Sequence, residues 1–110
     1  MAKKIDLKAA DGKVYTLEYD RDSCAMLSRK GFKPEKIKDN YVVEVPLLIQ
    51  GAFVKNHADL SMDEIMEIWK DVKGKQELLK VLMEMYSEPI NALIAEPSDD
   101  VKNATWEVIG

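Results

Sequence analysis

The chain has 110 residues, of which 46% are apolar and 33% charged; that is enough for one hydrophobic core and too apolar for a disordered segment. Its net charge of −4 is unevenly placed, with 11 Lys/Arg against 8 Asp/Glu in residues 1–55 and 5 against 12 in residues 56–110; with no basic stripe in the helical half, nucleic acid is a poor partner. The single cysteine, Cys24, excludes an intrachain disulfide framework, and the longest apolar run, residues 45–49, is far too short to cross a bilayer.

Taken in order, Lys3-Lys4 leads into the alternating Ile5-Asp6-Leu7-Lys8, with no apolar stretch of the kind a signal peptide needs. The protein is therefore expected to remain in the cytoplasm of the cell that makes it. Residues 3–8 read as a strand, Asp11-Gly12 as a two-residue turn with positive φ at both positions, and residues 13–19 as the returning strand. In that strand Tyr15, Leu17 and Tyr19 alternate with Thr16 and Glu18, which puts the two polar residues on the outer face. Asp20 is a good N-cap for a short helix reaching about Lys30, and Gly31 a good left-handed terminator. The lysine-rich residues 32–40, with Pro34, read as a turn or a single helical turn.

Residues 41–57 are ambiguous. Tyr41-Val42-Val43-Glu44-Val45 is β-prone, but the apolar run that follows is too long for a strand. The expected element is a buried helix over residues 44–56 with Pro46 in its first turn, or alternatively a short strand over residues 41–45 before it. Gly51 in mid-helix costs about 1 kcal/mol relative to Ala, which calls for a close crossing with another helix. Ser61-Met62-Asp63-Glu64 is a capping box. Ile65, Ile68, Trp69 and Val72 then form one stripe that stops at Gly74, and a second helix follows at once, so these two are expected to form an antiparallel helical hairpin.

That last helix, residues 76–95, reads as the element the chain is organised around. On a helical wheel its polar residues occupy one sector about 100° wide, and leucines, methionines, isoleucines and Tyr86 fill the rest. So wide an apolar arc needs cover on two flanks, from this chain or from a partner. Leu79, Met83, Ile90 and Ile94 lie along one edge of the arc. Pro89 should kink the helix. The predicted class is α+β, an N-terminal β-hairpin followed by about four helices, with residues 1–96 as the domain and residues 97–110 as a C-terminal tail carrying Trp106.

No catalytic constellation stands out. His57 is the only histidine and, beside Lys55 and Asn56, reads as a solvated cation at a helix C-terminus. Asp99-Asp100 and the Asp20/Asp22 pair are loop and cap carboxylates that do not face each other across a cleft. There is no glycine-rich phosphate loop. One His and one Cys cannot build a closed four-ligand zinc site, so no metal, no cofactor and no enzyme activity is expected. Met62, Met66, Met83 and Met85 fall on the last two helices, where they either fill the core or form an adaptable binding face. Trp106 either folds back onto the domain or is offered to a partner.

The order of features resembles a known family. Tyr15-Thr16-Leu17-Glu18-Tyr19 leads to a short helix closed by Lys30-Gly31-Phe32. Leu47-Leu48-Ile49-Gln50-Gly51-Ala52-Phe53-Val54-Lys55-Asn56-His57 then precedes a capped acidic helix. Leu82-Met83-Glu84-Met85-Tyr86-Ser87-Glu88-Pro89-Ile90 and Asn103-Ala104-Thr105-Trp106-Glu107 complete the series. This pattern is similar to the tail assembly chaperones of long-tailed phages and prophages of Gram-positive bacteria. The resemblance implies a non-enzymatic role in the host cytoplasm. Such a protein binds the tape measure protein, keeps it soluble, helps tail tube protein assemble around it, and is absent from the mature virion. Members often have a second, longer product made by ribosomal frameshifting. From its place on the helical wheel, the edge of Leu79, Met83, Ile90 and Ile94, with Trp106, is expected to dock apolar segments of the tape measure protein, the partner the resemblance implies, or to join subunits into a homo-oligomer. A structural tail or head–tail component retained in the virion is the competing reading. No partner role for nucleic acid or membrane is expected.

Overall fold

The computed structural model describes residues 3–97, 102 and 104–109. A β-hairpin of β1 (Ile5–Lys8) and β2 (Val14–Leu17) is followed by α1 (Arg21–Arg29) and a single 3-10 turn at Pro34–Lys36. Helices α2 (Tyr41–Val54), α3 (Met62–Lys70) and α4 (Lys75–Ala92) complete the architecture, an α+β fold with four helices.

The hairpin is antiparallel, pairing Ile5 with Leu17 and Leu7 with Tyr15, so these four side chains share the face that meets the helices. Its turn is wider than the expected two-residue loop. Only Gly12 has positive φ, 89°, and Gly12 N–H donates to Ala9 O while Ala9 N–H donates to Lys13 O. This is a three-residue loop, Ala10-Asp11-Gly12, with glycine in the one left-handed position it requires. Asp11 instead accepts from Lys13 N–H at 3.0 Å, which suits a side chain at ordinary φ.

Local signals set the helix ends. Asp20 caps α1 by accepting from Ser23 N–H, and the Ser23 hydroxyl takes the Asp20 N–H in return. Ser61 and Glu64 close the same reciprocal box on α3. Gly31 (φ 87°) and Gly74 (φ 72°) make the left-handed turns that end α1 and open α4.

Helix α2 begins at Tyr41, so residues 41–45 are helix and not strand, and Pro46 sits in the second turn rather than the first. Pro46 deprives Val42 O of its helical donor. The helix tolerates this because Val42 is 86% exposed and water can take the carbonyl. Leu48, Ile49, Ala52 and Phe53 are fully buried. Gly51 lies where a Cβ would come 2.6 Å from Leu27 Cδ1 and 3.1 Å from Tyr19 Cε1, which is the close crossing expected of it, made with α1 and the end of the hairpin.

The hub is α2, not α4. Helices α1, α3 and α4, the hairpin strand β2 and the 3-10 turn all pack on α2. The expected antiparallel pairing of the last two helices is indirect. No Cα of α3 lies within 8 Å of one in α4; each packs on α2 instead. Ile65 and Trp69 of α3 and Leu82, Met85 and Tyr86 of α4 enter one common core from different sides. The Tyr86 ring is edge-on to Phe32 (5.1 Å) and Tyr19 (5.9 Å), a geometry aromatic pairs favour. Helix α4 ends at Ala92, short of the expected residue 95, and runs through Pro89.

Candidate functional site

Three side chains of α4, Leu82, Met85 and Tyr86, are buried. The rest of its wide apolar arc is half-buried or open, and the edge picked out from the sequence lies there. Packing divides that edge in two. Leu79 and Met83 line a groove of about 520 Å³ whose opposite wall is the start of α2 and the chain before it, through Ile37, Tyr41, Val45 and Leu48. Lys38, Lys80 and Glu84 stand at its rim. One turn and more along the helix, Ile90 lines a second groove of about 290 Å³ with Tyr86, Leu93 and, across from them, Cys24 and Ala25 of α1.

The five candidate residues therefore separate. Leu79 and Met83 share the first groove, and Ile90, 41% exposed, stands in the second. Ile94 lies beyond the end of α4 and is 82% exposed, lining neither groove. Trp106 is 85% exposed and also lines neither. It is not folded back onto the domain. With Val108 and Ile109 it forms an open apolar stretch of tail.

Tyr41 and Val45 belong to the first groove; Tyr41 was missed from sequence because the helix was read as starting at Glu44, and Val45 because the binding edge was sought on α4 alone. The signal was present: Tyr41, Val45 and Leu48 stand at i, i+4 and i+7, which is one helical face. Tyr41, Val42 and Val43 are all at least half exposed, so the first turn of α2 extends the apolar surface outward from the groove.

A polar cluster at the other end of α2 has a structural role. Glu18, expected on the outer face, is 3% exposed. Strand β2 stops at Leu17, and Glu18 N–H turns to donate to Ala52 O. Ala52 O is one of the carbonyls left without a helical donor at the end of α2. The Glu18 carboxylate accepts from Asn56 Nδ2 and Lys55 Nζ, both at 3.0 Å. The Asn56 bond above all, then the Lys55 bond, holds this carboxyl below the usual glutamate range, outweighing the opposing effect of burial.

His57 is not a solvated cation. It is half-buried, its ring packs on Tyr15 at 5.1 Å, and its Nε2 accepts from Thr16 N–H at 3.1 Å. This bond ties the ring to the backbone of strand β2. The segment 55–57 thus clips the hairpin to the hub helix, and every buried side-chain nitrogen and oxygen among the described residues has a partner.

Cys24 is buried, its Sγ 3.4 Å from Tyr86 O, and burial pushes the thiol up to about 11, so it packs as a small apolar group and is a poor nucleophile. Among the described residues no three His, Cys, Asp or Glu side chains gather to hold a metal ion, and no helix is long and apolar enough to cross a membrane. Asp99, Asp100 and Asn103 lie outside the described residues. What the two grooves offer is apolar contact.

No curated protein and no solved structure matches the chain. A family profile described as a domain of unknown function, DUF5055, matches residues 1–109. The chain belongs to the DUF5055 family.

Proposed function

We propose that this protein is a non-enzymatic tail assembly chaperone of a phage or prophage. It binds the tape measure protein in the host cytoplasm, keeps it soluble while tail tube protein assembles around it, and leaves before the particle is complete. The observation that carries this reading is the apolar strip along α4, open on one flank from Leu79 and Met83 through Ile90 to Leu93. Leu79 and Met83 pack partly against the core, yet Ile90 and Leu93 are 41% and 62% exposed, and apolar surface left open along a helix marks a site of association. The order of sequence motifs supplies the identity of the partner.

The test is co-expression with a tape measure protein from the same phage or prophage genome. Wild-type chain is expected to keep it in the soluble fraction. Met83→Asp with Ile90→Asp is expected to stay helical by circular dichroism yet leave the tape measure protein in the pellet. Ile90→Asp alone, at a 41% exposed position, is expected to give a partial loss with no folding defect. A tape measure protein that remains soluble with the folded double mutant overturns the proposed face. Stoichiometric amounts of the chain in purified virions would make it a structural component instead.

A further inference from the structure

The first groove has a definite length, wall chemistry and charge, and together they specify what fits it. Its α4 wall runs from Gln76 to Glu84, eight helical steps and hence about 12 Å at the helical rise. That is the span of apolar anchors at i, i+3 or i+4, and i+7 on a guest helix. No strand lines the groove, whose walls are α4 and the start of α2 with the turn before it, so an extended peptide would find no sheet edge to bond to. A helix needs none.

The charged residues lining the groove are two lysines, Lys38 and Lys80, and one glutamate, Glu84, in a protein whose net charge is −4. Among the described residues Lys38 has no ion-pair partner. Lys80 is solvent-exposed, with only a 3.7 Å contact to Glu77 on its own helix. The acidic rim residue, Glu84, already faces Lys3 at 3.7 Å. Asn40 gives α2 no side-chain cap, and Tyr41, the first residue of that helix, lines the groove. Val43 and Glu44 N–H donate to Asn40 O, which leaves the Tyr41 and Val42 N–H groups at the positive end of the helix dipole on the same rim.

We propose that the groove between the start of α2 and α4 selects an acidic amphipathic helix, with apolar anchors seated on Leu79, Met83 and Val45 and carboxylates facing Lys38, Lys80 and the start of α2. This rests on the chaperone reading for its biological context and narrows it, since it states which helices of a long partner would be held.

The probe is a pair of synthetic helical peptides of about 18 residues with the same leucine face, one flanked by glutamate and one by lysine. Binding to the full chain is followed by fluorescence anisotropy. The glutamate peptide is expected to bind about tenfold tighter at low salt, equivalent to about 1.4 kcal/mol, with the gap closing as salt rises. Lys38→Glu with Lys80→Glu should invert the preference, and Leu79→Asp should weaken both peptides. Equal affinities, a preference for the lysine peptide, no binding by either up to about 1 mM, or binding indifferent to Leu79→Asp each overturn the proposal. Failure here with tape measure solubilisation intact removes this inference alone. Peptide selection intact with no solubilisation removes the chaperone reading alone.

Discussion

Helices α2 and α4 are both rich in apolar residues, yet they serve opposite ends. Six of the fourteen residues of α2 are buried, against three of the eighteen in α4. The apolar residues of α2 surround the helix with little bias to one side, so it can be stable only with neighbours all round. Those of α4 form a wide but one-sided arc, of which only Leu82, Met85 and Tyr86 are buried while Leu78, Leu79, Val81 and Met83 pack partly against the core. Burial therefore follows the distribution of apolar residues around the axis more closely than their number. The shorter helix, with a proline and a glycine inside it, is the hub; the longer and more regular one carries the open surface.

The contrast can be broken experimentally, and the largest effect should come from the hub. Phe53→Ala removes a fully buried ring that packs on Tyr15 and should cost about 3–5 kcal/mol in denaturant unfolding. Leu82→Ala, at the buried centre of α4, should cost about 2–5 kcal/mol. A loss under about 1 kcal/mol at either site would mean the core is misplaced. Gly51→Ala sharpens the point, since it should raise helix propensity by about 1 kcal/mol. Here the added Cβ meets Leu27, which is fully buried, and Tyr19, whose hydroxyl is tied to Leu48 O. Overpacking of about 1–3 kcal/mol then outweighs the gain, and a net loss of roughly 1 kcal/mol is expected from the unfolding midpoint.

A smaller effect is expected at the clip between hub and hairpin, and it depends on pH. The Glu18 carboxyl is depressed in the folded state, so its contribution is fully present above the ordinary glutamate value of about 4.3. That contribution disappears as pH falls through the lower folded value. Glu18→Gln should lower stability at pH 7 and flatten the acid limb below about pH 4.5, as measured by chemical unfolding across pH. An unchanged acid limb would show that the ion pair and its amide partner contribute nothing. Smallest of all, Ile94→Ser, beyond the end of α4 and 82% exposed, should shift stability by no more than about 0.5 kcal/mol. A larger loss would give this end of the molecule a core role that the comparison denies it.

Features set by a few neighbouring residues could be read directly from the chain. The hairpin, the Asp20 and Ser61 caps, the stops at Gly31 and Gly74 and the stripe from Ile65 to Val72 depend on dihedral preferences and side-chain reach within one or two turns. Gly51 also announced its crossing, because a glycine inside a helix needs a neighbour to justify it. The start of α2 was hidden by the β-branched residues and Pro46 in its first two turns, whose local preferences the buried residues further along override. Glu18 was misassigned because strict alternation fails where a strand leaves its partner to bond a helix end. His57 looked like a surface cation because the Thr16 N–H it accepts lies 41 positions away. The candidate edge was legible as a line on α4, but not its division into two grooves, since Tyr41 and Val45 form one opposing wall and Cys24 and Ala25 the other. Periodicity fixes which face of a helix is apolar. Which of those faces meet, and which one is left over, is decided only when all of them compete for one core.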